Sequence, residues 1–96
     1  MRLEKDEINF IKTEIKKFIN GDIYIFGSRI NDKKKGGDVD IYIVPFEEID
    51  LKRKILLSNE IKAALEYKLM MNVDVLISKD KNRKIEKEAL KGIKIG

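Results

Sequence analysis

The sequence predicts a single small α/β (α+β) domain in which a mixed β-sheet is backed by helices. Two observations support this fold class: some segments repeat apolar residues every three or four positions, and others are short and almost continuously apolar. The 96 residues are enough for one hydrophobic core but leave no room for a second. We therefore treat residues 1–96 as one domain.

Six elements are expected in the order α-β-β-α-β-α, which favours two or three layers around a small sheet. Helices are predicted at 4–19, 49–70 and 83–91, strands at 23–26, 38–44 and 72–77, and a terminal extended piece at 93–95. Asn20-Gly21 supplies a stop signal for the first helix, and Pro45 supplies one for the second strand. The second helix carries a broad apolar stripe through Leu51, Ile55, Ile61, Leu65 and Leu69, beside Leu57 and Ala64.

Composition excludes several kinds of chemistry. The chain contains no histidine and no cysteine, so it cannot itself supply serine–histidine or cysteine–histidine catalysis, imidazole or thiolate metal ligands, or disulfides. Carboxylates, Lys, Arg, hydroxyls and backbone amides remain, and carboxylate oxygens suit hard cations such as Mg²⁺ or Mn²⁺. With 21 Lys and Arg against 17 Asp and Glu, the net charge of +4 favours an anionic partner.

The chain shows no sign of a membrane or secreted protein. No apolar run is long enough to span a bilayer, and the charged N-terminal residues do not form a signal peptide. We therefore expect a cytoplasmic protein with no membrane partner. The exposed edges of so small a sheet leave self-association open.

Two aspartates interrupt an otherwise apolar strand. Side chains alternate between the two faces of a strand, so Asp38 and Asp40 share one face, with Cα atoms roughly 6.5–7 Å apart. Without a cation between them, the two carboxylates would repel each other and one would take up a proton. An isolated Asp-x-Asp more often marks a turn or a strand-edge charge than a metal site.

A third aspartate sits in the same kind of environment. Asp74 is embedded among aliphatic residues in strand 72–77, and it would converge on Asp38 and Asp40 if the two strands are neighbours. Three carboxylates on one sheet face could hold two hard cations about 3.5–4 Å apart. Taken alone, Asp74 would more often be a charge that protects a strand edge.

Gly27-Ser28 ends the first strand and opens the polar loop that leads to Asp38. Glycine lets the backbone approach a ligand closely, and the Ser28 hydroxyl and nearby amides can bond phosphate oxygens, with Arg29 neutralising their charge. An ordinary Gly-Ser turn is the alternative. Ser28 is not expected to be a nucleophile, because no histidine can activate it.

The combined pattern resembles a known family. The stretches FGSR, GGDVDIYIV and NVDVLI, and the closing KIEKEALKGIKI, are similar to the minimal nucleotidyltransferase (MNT) domains of the DNA polymerase beta-like superfamily. The resemblance covers nearly the whole chain. It implies a polymerase beta palm-like fold and transfer of a nucleoside monophosphate, AMP from ATP, to a hydroxyl acceptor.

The resemblance also implies residue roles. Asp38 and Asp40 would hold the nucleotide-bound Mg²⁺, and both with Asp74 would hold a second ion, with Mn²⁺ as a substitute. Asp74 would in addition help to deprotonate the acceptor hydroxyl, and Gly27 and Ser28 would hold the triphosphate. Many members carry an Arg-Gly doublet after the Gly-Ser, where this chain has Asn31-Asp32, and Arg29 stands nearby.

Minimal domains of this family often act as antitoxins that attach AMP to a HEPN-type toxin, so the resemblance implies a toxin partner. A non-catalytic antitoxin or binding module that neutralises or scaffolds its partner is the alternative. A direct role on nucleic acid is disfavoured. It would need a basic groove, and the runs Lys33–Lys35 and Lys79–Lys84 that could supply one are better explained as solvated loops.

Overall fold

The computed structural model describes residues 5–26 and 39–96, which form three helices and a four-stranded mixed sheet. The elements are α1 (Lys5–Lys16), β1 (Gly21–Phe26), β2 (Val39–Pro45), α2 (Leu51–Leu69), β3 (Val73–Ile77), α3 (Lys84–Leu90) and β4 (Ile93–Lys94). The predicted order α-β-β-α-β-α is confirmed, and the extended piece predicted at 93–95 contains the short strand β4. Within the described part of the chain, no helix combines the length and apolarity needed to cross a membrane.

The strands lie in the order β3-β2-β1-β4, so β2 and β1 are central and β3 and β4 are edges. β1 runs antiparallel to both β2 and β4, whereas β3 runs parallel to β2. The parallel pair is joined through α2, because two parallel strands cannot be connected by a tight hairpin. This topology places the second and third predicted strands side by side.

One face of the sheet carries the hydrophobic core under α1 and α2. Alternate residues of each strand point to this face, and each buried aliphatic side chain contributes about 1.5–3 kcal/mol. The core comprises Ile23 and Ile25 of β1, Val39, Ile41 and Ile43 of β2, Val73 and Ile77 of β3, Ile11 and Ile15 of α1 with Ile19 after it, and Leu57, Ile61 and Leu65 of α2. The expectation that Val39, Ile41 and Ile43 point into a helix-covered core is confirmed.

The other face of the sheet is partly covered by α3. Tyr42 of β2 is fully buried there, and its hydroxyl donates a hydrogen bond to Glu86 of α3. The architecture therefore has three layers, which settles the choice between two and three. Because α3 is only 7 residues long, it leaves part of this face uncovered.

Helix α1 ends earlier than residue 19, and Gly21 does not act as its stop signal. The chain leaves the helix after Lys16 through a tight turn in which the Phe18 N–H donates to the Ile15 carbonyl at 2.9 Å. Gly21 lies inside β1, opposite Pro45, where a Cβ atom would collide with the Val44 carbonyl oxygen. This glycine is needed for the close approach of two strands.

The apolar stripe of α2 is narrower than expected. Leu57, Ile61 and Leu65 are buried at four-residue spacing, whereas Leu51 and Ile55 are 56% and 49% exposed. The prediction that these two residues lie along the same buried stripe was wrong. α2 begins at Leu51, capped by the Asp50 carboxylate, which accepts from the Arg53 N–H at 2.8 Å.

Candidate functional site

Asp40 and Asp74 occupy equivalent positions on adjacent parallel strands. They are paired in the register of β2 and β3, which sets their Cα atoms about 4.8 Å apart. Both point to the face opposite the helix-covered core, because their neighbours Val39 and Val73 are buried in that core. Asp40 is half-buried and the Asp74 side chain is 71% exposed. The two carboxylates thus lie together at an accessible part of the sheet.

Aromatic side chains lie next to Asp40 on its face of the sheet. Phe26 lies directly opposite Asp40 on β1, and Tyr42 follows Asp40 by two residues on the same face. The Tyr42 ring packs nearly perpendicular to Phe26, with ring centroids 6.5 Å apart, and its centroid lies 5.9 Å from that of Tyr24. Edge-to-face packing of this kind fixes ring orientation. Asp40 therefore has two packed aromatic residues, Phe26 and the buried Tyr42, as neighbours on its face of the sheet.

Four of the predicted site residues lie outside the described residues: Gly27, Ser28, Arg29 and Asp38. Among residues 5–26 and 39–96, no three acidic, His or Cys side chains are grouped closely enough to hold a metal ion. What this part of the chain supplies is a pair of carboxylates in register, with oxygen donors of the kind that Mg²⁺ and Mn²⁺ prefer. The donor chemistry therefore fits a hard divalent cation.

A lysine from α2 reaches the exposed carboxylate around the edge of the sheet. Lys62 Nζ lies 3.6 Å from Asp74 Oδ1, 3.0 Å from Glu66 Oε2, and donates to the Val73 carbonyl. The hydrogen bond to Glu66 raises the pKa of Lys62 above its ordinary value, and burial opposes the shift. The Val73 N–H holds the pKa of Glu66 below its usual range, with help from Lys62. Both groups are charged at neutral pH.

A buried glutamate anchors α3 on the face that carries Asp40. Glu86 is fully buried, and its carboxylate accepts hydrogen bonds from the Tyr42 and Ser78 hydroxyls at 2.8 and 2.7 Å. It also accepts from the backbone N–H groups of Lys79 and Asp80, both at 2.9 Å. Four residues, one from β2 and three from the segment after β3, therefore donate hydrogen bonds to this one carboxylate.

Burial and hydrogen bonding act in opposite directions on Glu86. Burial alone would raise its pKa, but the donors on Asp80, Ser78, Lys79 and Tyr42 together lower that pKa to about 2. The pKa of Tyr42 is raised to about 12, mainly by burial and also by the neighbouring Glu86 charge. An ionised Glu86 and a neutral Tyr42 thus form a stable pair across the neutral range.

Residues 7–95 match the family described as Polymerase beta, Nucleotidyltransferase. The chain belongs to the polymerase beta nucleotidyltransferase family. The mixed sheet flanked by helices agrees with that assignment. A comparison with curated proteins finds no match to this family member.

Solved structures show the same fold at low sequence identity. A chain of the tri-AMPylated Shewanella oneidensis HEPN toxin in complex with MNT antitoxin aligns with a TM-score of 0.54 and 22% identity, over 78% of this chain and 56% of that one. A chain of a toxin–antitoxin complex with AMP-PNP aligns with a TM-score of 0.55 and 23% identity, over 73% of this chain and 56% of that one. A chain of the MntA–HpeT toxin–antitoxin pair, in which two aspartates are changed to glutamate, aligns with a TM-score of 0.54 and 21% identity, over 73% of this chain and 55% of that one. This nucleotidyltransferase chain spans just over half the length of each.

Three residues of this nucleotidyltransferase domain were missed by sequence reasoning: Lys62, Glu66 and Glu86. The first two look like ordinary surface charges of a long helix, and Glu86 lies in the highly charged segment KIEKEAL. A four-residue spacing connects Lys62 to Glu66, but nothing in the sequence connects either to Asp74. Their roles depend on how α2 and α3 pack against the sheet.

Proposed function

We propose that this domain transfers AMP from ATP to a hydroxyl group of a partner protein. The observation that carries the proposal is the placement of Asp40 and Asp74, in register on one accessible sheet face, in a chain that matches the nucleotidyltransferase family over residues 7–95. Two carboxylates in register on an accessible face suit the binding of a metal-bound nucleotide. The +4 net charge is compatible with such an anionic substrate.

Three aspartates would hold the metal: Asp40 of β2, Asp74 of β3, and Asp38, which precedes Asp40 by two residues in the sequence. Two Mg²⁺ ions, or Mn²⁺ in their place, would supply charge neutralisation at the phosphates. Asp74 accepts the proton of the acceptor hydroxyl while the hydroxyl oxygen attacks the α-phosphorus of ATP. The bond from that phosphorus to the bridging oxygen breaks, and pyrophosphate leaves in line. Positioning, more than covalent chemistry, is what these residues contribute.

The residues that follow β1 in the sequence would hold the triphosphate. Gly27 would allow close backbone approach, the Ser28 hydroxyl would donate to a phosphate oxygen, and Arg29 would pair with phosphate charge. Phe26, the last residue of β1, lies directly opposite Asp40, and it is followed immediately by Gly27. The end of β1 is therefore adjacent to the proposed catalytic carboxylates.

A HEPN-type toxin is the proposed acceptor, which would make this domain an antitoxin. Support comes from the solved structures of similar fold: one contains a tri-AMPylated HEPN toxin with its MNT antitoxin, and another contains AMP-PNP. In a third, the two substituted aspartates are separated by one residue, the same spacing as Asp38 and Asp40. The proposal places the reaction in the cytoplasm, where ATP is available.

The test is an AMP-transfer assay with magnesium, labelled ATP and the HEPN-type protein encoded beside this one. Mass spectrometry should find AMP on a hydroxyl side chain of the partner. Asp40→Asn should reduce that adduct by at least 100-fold, because losing a carboxylate from a metal site removes charge stabilisation of the transition state. Asp22→Asn is the matched control, since Asp22 shares this face of the sheet but pairs with Lys94 at 3.4 Å.

Three outcomes would contradict the proposal. If the protein neutralises the partner without any adduct, and Asp40→Asn neutralises it equally well, the non-catalytic binding module is the better explanation. If labelled AMP appears on nucleic acid and not on protein, the acceptor class is wrong. A normal adduct in both aspartate variants would remove Asp40 from the site.

A further inference from the structure

Asp74 lies on β3, an edge strand whose main chain has a neighbouring strand on one side only. β3 pairs with β2 and with no other strand of the described sheet, and the Asp74 side chain is 71% exposed. The β-ladder fixes the Cα position of Asp74 opposite Asp40 but does not fix the χ1 rotamer that directs its carboxylate. A residue that must present its carboxylate in one orientation needs a side-chain partner.

Helix α2 supplies two side chains along the outer edge of β3. The Val73 N–H donates to Glu66 Oε2 at 2.8 Å, and the Val73 carbonyl accepts from Lys62 Nζ. A further strand on this side would otherwise satisfy these two main-chain groups of Val73. Lys62 and Glu66 therefore hold β3 in place at the residue that precedes Asp74.

The same lysine contacts the Asp74 carboxylate. Lys62 Nζ lies 3.6 Å from Asp74 Oδ1, while Glu66 Oε2 and the Val73 carbonyl hold it from other directions. A lysine already fixed by two acceptors loses little further freedom when it meets a third. Stabilisation of α2 does not by itself explain the Lys62–Glu66 pair, because a lysine four residues before a glutamate is the less favourable order in a helix.

We propose that Lys62, held by Glu66, is the positioning residue that orients the Asp74 carboxylate for AMP transfer. This inference rests on the proposed function, in which Asp74 accepts the proton of the acceptor hydroxyl. Lys62 touches neither ATP nor acceptor in this scheme. Lys62 acts in two ways: it sets the direction of the Asp74 carboxylate, and it holds the outer edge of the strand that carries Asp74.

The kinetic test compares Lys62→Met, Lys62→Arg and a matched control, Lys68→Met, in the last turn of the same helix. Lys62→Met should lower kcat by about three- to ten-fold and leave the KM for ATP unchanged, as expected when a partly exposed ion pair at a reacting group is lost. Lys62→Arg should restore kcat to within about two-fold, because arginine keeps the charge and can reach the same acceptors. Lys68→Met should behave as wild type, and circular dichroism should show all variants folded.

An activity-independent readout comes from NMR of the metal-free protein. If Lys62 fixes the carboxylate, the two Hα–Hβ couplings of Asp74 should differ in the wild type and in Lys62→Arg and become averaged in Lys62→Met. Averaged couplings already in the wild type would overturn the inference, as would an unchanged kcat in Lys62→Met. So would a loss of kcat that Lys62→Arg does not restore. If the wild type transfers no AMP at all, the proposed function fails, while the couplings still decide whether Lys62 orients Asp74.

Discussion

Replacing Glu86 with glutamine should destabilise the protein by about 3 kcal/mol at neutral pH. Glutamine keeps the shape of the side chain, but it has one carbonyl oxygen where the carboxylate offers two acceptors. The backbone N–H groups of Lys79 and Asp80 both donate to one oxygen, and the Tyr42 and Ser78 hydroxyls donate to the other. The amide can satisfy the backbone pair only if both hydroxyls reverse their hydrogen bonds. The variant thus exchanges charge-assisted hydrogen bonds for weaker neutral ones.

The magnitude follows from the pKa of Glu86. That pKa is about 2 in the folded protein, against an ordinary value of 4.5. At about 1.36 kcal/mol for each pH unit, the difference corresponds to about 3 kcal/mol that the ionised carboxylate contributes to folding. Because the folded pKa is the lower one, this contribution is present above pH 4.5 and is lost as the pH falls towards 2. The glutamine variant has no such dependence.

Urea denaturation at a series of pH values, followed by circular dichroism, measures the prediction. The free energy of unfolding of the wild type should exceed that of Glu86→Gln by about 3 kcal/mol at pH 7, and the gap should narrow steadily below pH 4.5. At pH 7 the midpoint of thermal unfolding should fall by about 12–24 °C for a domain of this size. Glu88→Gln, an exposed position on the same helix, is the matched control and should change stability by about 0.5 kcal/mol or less.

The reasoning is refuted if the gap between wild type and Glu86→Gln is the same at pH 7 and near pH 2.5. In that case the loss would come from altered packing and not from the charge of the carboxylate. A gap below about 1 kcal/mol at pH 7 would also refute it, because the four hydrogen bonds would then offset burial only marginally.

Two further predictions concern the same sheet. Ultraviolet absorbance titration should show a tyrosine ionising near pH 12, and Tyr42→Phe should remove that step. Because the folded pKa of Tyr42 is raised, its stabilising contribution should be lost as the pH rises from 10 to 12, and the absence of a step near pH 12 would contradict this. Gly21→Ala should lower the free energy of unfolding by about 1–3 kcal/mol in thermal or urea melts, because the new Cβ would lie 2.9 Å from Pro45 Cα. Gly96→Ala is the control and should have little effect, because its Cβ would meet only side-chain atoms at 3.4 Å. Equal losses in both variants would count against the steric explanation.

The fold could be predicted from the sequence because local patterns are strong in this chain. Alternation in VDIYIV and VDVLI makes β2 and β3 recognisable, and the isoleucines of α1 recur at helical spacing. The second helix shows the limit of that reasoning. Its apolar residues occupy several rows around the helix, so the pattern does not say which row faces the sheet. Leu57, Ile61 and Leu65 occupy that row, and Leu51 and Ile55 do not.

For the candidate site, the alternation of side chains along a strand predicts which face each aspartate occupies, but it does not predict which strands are neighbours. Alternation puts Asp40 on one face of β2 and Asp74 on one face of β3, but only the parallel pairing of these strands brings the two together. That pairing is a tertiary fact, set by α2 crossing from one strand to the next. Nothing in the sequence around Glu86 indicates burial, since glutamate is rarely buried without partners and its partners come from β2 and from the segment after β3.

Both networks missed from the sequence act on β3, and this has a physical reason. An edge strand has main-chain groups on its outer side that no neighbouring strand satisfies, so α2 supplies side chains there through Lys62 and Glu66. At the end of the strand, Glu86 accepts hydrogen bonds from Ser78 and the following backbone N–H groups, and it joins them to Tyr42 on the central strand β2. The pairing of β3 with β2 thus sets Asp74 opposite Asp40, while side chains of α2 and α3 that bear no resemblance to a catalytic motif hold the start of β3 and the segment that follows it.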